Sequence, residues 1–217
     1  MSESLADQPE SWPVTASDTG FTGGVVSVRS DTIRSPVDDG EFVRDVVEHP
    51  GAVAVVALDD DARVLVVRQY RHPVRLRPVE LPAGLRDVDD EPPRLTAERE
   101  LYEEGHVRAR DWNVLVDLLP SPGMTDEAIR VFLARGITAL PEDERYSGHH
   151  EEADLDVDWV ALPELVEAVL AGRVQNATLC AGVLAAWAVH VGGPAERGYG
   201  ELRPADAPWA SGARSGD

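Results

Sequence analysis

The residues best placed to do chemistry are Arg99, Glu100, Glu103 and Glu104, packed into the run Arg-Glu-Leu-Tyr-Glu-Glu. On a helix, the three glutamates stand at i, i+3 and i+4 and share one face. Like charges at those spacings repel by roughly 0.2–0.5 kcal/mol per pair. Glu103 and Glu104 also fall just before Gly105, in a last turn where the helix dipole disfavours anions. Two readings stay open at this point. One is a solvated acidic face, with Arg99 pairing to Glu103. The other is a divalent-cation site, because hard carboxylate oxygens suit Mg²⁺ or Mn²⁺ and the cation offsets the repulsion.

Competing signals are weak. His149-His150 beside Glu151-Glu152 lacks the His-Glu-x-x-His spacing of zinc peptidases. No Gly-x-Ser-x-Gly elbow supports a serine hydrolase, and no EF-hand spacing supports a calcium buffer. Cys180 sits in an apolar stretch and reads as a packed core thiol.

Composition narrows the field further. Forty acidic residues oppose 20 basic ones, for a net charge of −20, and every basic residue is Arg because Lys is absent. Lysine chemistry is therefore excluded, including a P-loop lysine and a Schiff base. So negative a field argues against nucleic acid as a partner. A nucleotide could approach only where cations or local arginines reverse the sign. The single cysteine allows no intramolecular disulfide, which suits a reducing cytoplasm. The N-terminus has no apolar signal-peptide core, and the most apolar stretch, Ala177 to Val191, is shorter than the ~20 residues of a spanning helix. A soluble, cytoplasmic protein is expected.

The elements that must position the carboxylates are legible in outline. At 217 residues and 43% hydrophobic content, the chain is long enough for one cored domain with a small appendage. Residues 1–20 are polar and read as a flexible arm, and residues 192–217 as a flexible tail that could dock through Trp209. Strands are expected at Gly24 to Val28, Phe42 to Val47, Ala52 to Leu58, Val64 to Tyr70, Val114 to Leu119, Ile129 to Ala134 and Leu155 to Ala161. The third and fourth of these read as a hairpin across Asp59-Asp60-Asp61. Helices are expected from Pro92-Pro93 to Gly105, from Pro163 to Gly172, and after Asn176 as N-cap. The order predicts an α/β fold, a mixed sheet sandwiched by helices.

Gly84 to Val107 resembles the Nudix box: Gly, five residues, Glu, seven residues, Arg-Glu, an aliphatic residue, any residue, Glu-Glu, any residue, Gly, aliphatic. Gly84, Glu91, Arg99, Glu100, Leu101, Glu103, Glu104 and Val107 fall in register. Six residues rather than five separate Gly84 from Glu91, and His106 stands where the second glycine belongs. Gly105 is expected to take over its left-handed turn one residue early. The flanking runs Gln69-Tyr70-Arg71, Glu80-Leu81-Pro82-Ala83-Gly84 and Ser121 to Glu127, with Pro122 fifteen residues past Val107, resemble the ADP-ribose pyrophosphatase branch.

That resemblance implies a Nudix-type α/β/α sandwich over 51–191, preceded by an antiparallel strand region at 21–50 that serves dimerisation. It implies Mg²⁺-dependent hydrolysis of ADP-ribose or a related ADP-sugar to AMP and ribose 5-phosphate, with Mn²⁺ as a possible substitute. Glu100, Glu103, Glu104 and the Ala83 carbonyl would hold metal, and Arg99 would orient the carboxylates. Arg71 and Glu80 would flank the substrate, and Arg44 would reach it from the partner subunit of a homodimer. Glu152 would be the general base, with Glu151 as the alternative, on the loop before Leu155. Val79 replaces a tryptophan common in the branch, which moves adenine stacking elsewhere; Tyr70 reads as a core tyrosine rather than a stacking residue. Alternatives are a Nudix hydrolase for another nucleoside diphosphate derivative, or a non-catalytic domain that senses a nucleotide.

Overall fold

A computed structural model describes residues 5–88, 90–144, 155–192 and 201–209. Two units divide the chain: Met1–His49 with Ser121–Glu127, and Pro50–Pro120 with Ala128–Asp217. The first unit is an antiparallel sheet of β1 (Val14–Thr22), β2 (Ser27–Arg34) and β3 (Glu41–Glu48), in that order. Strand structure therefore replaces the expected arm from Val14 onward. Val14, Thr15, Thr19, Phe21 and Thr22 supply the β-branched and aromatic residues a strand favours. β2 also starts later than expected, because a turn closed by Gly23 N–H on the Val26 carbonyl at 2.8 Å occupies the preceding residues. The 121–127 segment joins this unit through Val47 N–H on Met124 O at 2.8 Å and His49 N–H on the Asp126 carboxylate at 2.8 Å.

The second unit runs β4 (Ala52–Ala57), β5 (Arg63–Arg68), β6 (Val79–Glu80), β7 (Ala83–Leu85), α1 (Pro93–Gly105), β8 (Val107–Leu118) and β9 (Ile129–Ala139). It continues through β10 (Asp156–Ala161), α2 (Leu162–Leu170), α3 (Ala177–Gly192) and β11 (Arg203–Pro204). One sheet has the order β11-β8-β9-β4-β7 and is mixed, since β4 and β9 run parallel. A second has the order β10-β5-β6. The expected β4–β5 hairpin is thus corrected. The acidic turn forms, with Asp59 N–H on Arg63 O at 3.0 Å, but beyond the bridge Leu58–Val64 the strands enter different sheets. Both strands are apolar on both faces, and such strands seek cover on each side rather than each other.

That cover is provided by helices, and it explains the α/β/α layering. Val56, Val64, Val66, Val131 and Leu133 pack with Leu162, Leu165, Leu179 and Val183 of α2 and α3. Their strand neighbours Val55, Leu65, Val67 and Phe132 pack with Ala97 and Leu101 of α1. Period-two alternation thus sends each strand's side chains to opposite helical layers. Burying each such side chain contributes roughly 1.5–3 kcal/mol. Among the described residues no helix is long and apolar enough to cross a membrane.

The expected flexible tail is ordered over 201–209. β11 pairs with β8 at Arg203↔Val114, and Trp209 docks against two guanidinium groups, its ring centroid 4.8 Å from Arg130 and 5.2 Å from Arg86.

Candidate active site

α1 starts at Pro93 with no side-chain cap, a position where a missing N–H costs little. Thr96 at its first turn donates to Glu91 Oε2 at 2.7 Å, tying the preceding loop to the helix. At the other end the sequence expectation is corrected. Gly105 stays helical, and His106 itself takes the left-handed conformation at φ 53° and ψ 34°. Gly105 is needed for a different reason: a Cβ there would meet Leu101 Cδ1 at 3.1 Å and Leu65 Cδ1 at 3.3 Å. The helix end therefore keeps the geometry of a glycine-capped one, with a strained histidine in the glycine's place.

Ala97 and Leu101 anchor one face of α1 in the core, which turns Glu100 and Glu104 towards β7. These two glutamates are 8% and 7% exposed. Ala83 N–H donates to Glu104 Oε2 at 2.9 Å. Glu100 lies so close to Gly84 that any Cβ there would overlap its carboxyl group. The opening glycine of the motif is thus a close-approach glycine. Arg99 Nη1 bridges Glu100 Oε1 at 2.7 Å and Glu103 Oε2 at 3.4 Å, and Arg99 Nη2 lies 3.8 Å from Glu91 Oε2. Burial works to lower the guanidinium's pKa, but the field of Glu100, Glu103, Glu91 and Asp87 outweighs it and raises the value. Ala83 and Gly84 meet Glu104 and Glu100, and Arg99 links Glu100 to Glu103, so the acidic face is not simply solvated.

Among the described residues no three acidic or imidazole groups already converge as a metal cage. The donor chemistry nonetheless fits a hard divalent cation. Glu100 and Glu104 are nearly buried and reach Gly84 and Ala83 N–H on β7, and Glu103 shares Arg99 with Glu100.

A second cluster lies on β6. Glu80, 5% exposed, accepts from Arg71 in a fork, Nε at 3.1 Å and Nη2 at 2.7 Å on Oε2. Asn176 Nδ2 donates to Glu80 Oε1 at 3.2 Å, while its Oδ1 caps α3 by accepting from Leu179 N–H at 2.9 Å. Asn176 was readable as a cap, but its amide contact to a residue 96 positions away carries no local signal. Tyr70 corrects the expectation of a core tyrosine: it is 44% exposed, its hydroxyl 3.1 Å from His72 Nδ1. Val79 packs against the aliphatic core. Cys180 is half-buried, its thiol 3.6 Å from the Val174 carbonyl, and burial raises its pKa.

Arg44 belongs to the first unit. It is exposed on β3, its guanidinium 4.4 Å from the Phe42 ring centroid, and Phe42 meets Trp12 edge-on at 6.1 Å. Glu151 and Glu152 lie outside the described residues.

Residues 48–179 match the NUDIX domain, more than half of the sequence, and the chain belongs to this family of hydrolases. It is 46% identical over 194 residues to the ADP-ribose pyrophosphatase of Mycobacterium tuberculosis (strain ATCC 25618 / H37Rv), covering 89% of each chain. It is 33% identical over 157 residues to the ADP-ribose pyrophosphatase of Bacillus subtilis (strain 168), covering 72% of this chain and 82% of that one. A crystal structure of an ADP compounds hydrolase superposes with a TM-score of 0.65 at 17% identity, covering 86% of this chain and 99% of the other, a likeness of fold. Divalent metal ions are the general cofactors of this family.

Proposed function

We propose that the protein is a Mg²⁺-dependent ADP-ribose pyrophosphatase that releases AMP and ribose 5-phosphate. The observation that carries the reading is the pair Glu100 and Glu104 held against β7 at Gly84 and Ala83 N–H, with Arg99 linking Glu100 to Glu103. The names of the two relatives above support ADP-ribose among diphosphate substrates.

Glu100, Glu103, Glu104 and the Ala83 carbonyl would hold the ion. When bound, Mg²⁺ neutralises diphosphate charge and acidifies water. The protein's own groups do the rest. Arg99 keeps the carboxylates apart from one another's charge and sets their rotamers. The Arg71–Glu80 fork, steadied by Asn176, presents a guanidinium whose planar donors suit phosphate and ribose oxygens. Glu152 accepts the proton of the attacking water. The new P–O bond forms as the bridging P–O bond breaks, and the bridging oxygen leaves with the other phosphate. Glu151 is the alternative base.

We further propose a homodimer in which the 21–50 region pairs two subunits and Arg44 of the partner subunit completes each site. Support comes from the exposed apolar side chains of the first unit, Phe21 and Val25 on or beside its strands and Val43 next to Arg44. Light scattering at micromolar concentration should give twice the chain mass; a fully active monomer would refute the shared site. The single Cys180 and the absence of Lys fit a reducing cytoplasm and a small-molecule substrate, with neither nucleic acid nor membrane as partner.

The substrate assignment is tested by a panel of nucleoside diphosphate sugars under Mg²⁺. ADP-ribose should give the highest kcat/KM. A higher value for a non-adenine sugar nucleotide would move the assignment to another branch of the family.

A further inference from the structure

Arg130 on β9 is 2% exposed, yet it is far from every residue given a catalytic part above in sequence, and its contacts point elsewhere. Its Nε and Nη2 fork onto Asp117 at 2.8 and 3.0 Å. Its remaining donors hold two consecutive carbonyls, Ala207 at 2.6 Å and Pro208 at 3.0 Å. Arg203 closes the same knot, reaching Asp117 Oδ2 at 2.6 Å. A buried guanidinium is costly unless every donor finds an acceptor. Here half of those acceptors come from a segment nearly eighty residues further along the chain.

What the knot holds in place is Trp209. The guanidinium groups of Arg130 and Arg86 both lie over its indole, at 4.8 and 5.2 Å from the ring centroid. Arg86 is the second residue past Gly84. Its backbone N–H donates to Gly51 O at 3.1 Å, which fixes the root of the loop that leads to α1. That loop carries Glu91, which takes the Thr96 hydroxyl and lies beside Arg99. The loop is one residue longer than the motif pattern, so its conformation needs outside support.

The geometry points to Trp209 as a positioning residue for the metal-binding carboxylates. It holds Arg86 at the root of the loop, the loop presents Glu91 to Arg99, and Arg99 orients Glu100 and Glu103. The C-terminal segment is therefore a working part of the site rather than a trailing end. The kinetic arm of the test rests on the proposed hydrolase activity, whereas the metal arm does not.

The test compares full-length wild type with Trp209→Ala, Trp209→Phe, Arg86→Met and the double variant Trp209→Ala/Arg86→Met. Mn²⁺ affinity is read by electron paramagnetic resonance, with no nucleotide present, and ADP-ribose hydrolysis separately. Trp209→Ala should weaken Mn²⁺ binding and lower kcat, each by about tenfold, as expected for misplaced site groups, with KM within about twofold. Trp209→Phe should restore most of both, since it keeps an aromatic face for the guanidinium. The double variant should be no worse than the worse single one, because both act on one chain of contacts. Unchanged Mn²⁺ affinity in Trp209→Ala, or single effects that multiply independently, would overturn the assignment. If wild type fails to cleave ADP-ribose, the Mn²⁺ titrations still decide this point, and only the substrate assignment falls.

Discussion

At the scale of single residues, the site depends on two close approaches and one charge arrangement. Gly84 must lack a side chain because Glu100 occupies that space. Gly84→Ala is expected to push Glu100 aside and to lower kcat by at least about tenfold, measured with Mn²⁺ affinity alongside. Glu104 accepts the Ala83 N–H, a contact a glutamine oxygen can keep, so Glu104→Gln isolates the loss of charge. It should fold normally and lose roughly 10²–10⁴ in kcat, read in steady-state kinetics beside circular dichroism. Glu152→Gln should lower kcat by roughly the same factor while KM stays nearly constant. If Glu151→Gln does so instead and Glu152→Gln is nearly silent, the base is Glu151.

At the scale of elements, α1 does the positioning, and its end makes the next expectation. His106 holds a left-handed conformation that costs a non-glycine residue roughly 1 kcal/mol. His106→Gly should therefore raise the melting temperature by a few degrees with activity retained; a lower melting temperature would mean the imidazole's contacts outweigh the strain. α1 was legible in the sequence because period 3.6, the prolines before it and the glutamate spacing all agree. The parting of β4 from β5 is not legible, because two apolar runs across an acidic turn do not say which sheet each joins. That choice is made by β9 and β10, more than sixty residues on. The tail divides in the same way: docking through Trp209 is readable in the sequence, and the pairing of β11 with β8 is not. Its Gly, Pro and Ala content reads as irregular chain, and its order comes from Arg130 and Arg86, side chains distant in sequence. Asn176 shows both cases in one residue: the cap is local and readable, and the bond to Glu80 is not.

At the scale of the whole molecule, charge makes the stability depend on pH and salt. Burial works to raise the Asp117 carboxyl's pKa, but its bonds to Arg130 and Arg203 outweigh it and hold the group below the ordinary 3.8. A lowered folded value means stability that is complete above about pH 4 and lost as pH falls through that lower value. Asp117→Asn should cost about 3 kcal/mol at neutral pH, since it leaves Arg130 buried without its counter-charge. By calorimetry the gap to wild type should hold from about pH 5 to 7 and shrink below about 4. The net charge of −20 adds a separate, screenable repulsion, so raising salt from roughly 0.01 to 0.15 M should raise the melting temperature of wild type. The central claim joins that acidic molecule to a diphosphate through a divalent ion on the α1 glutamates. Its most direct test is to incubate wild type and Glu104→Gln with ADP-ribose and Mg²⁺ and to follow AMP and ribose 5-phosphate. Wild type should give both products in equal amounts, and Glu104→Gln, or wild type after chelation, almost none. No AMP from wild type under any divalent metal, or equal rates from the two proteins, would contradict it.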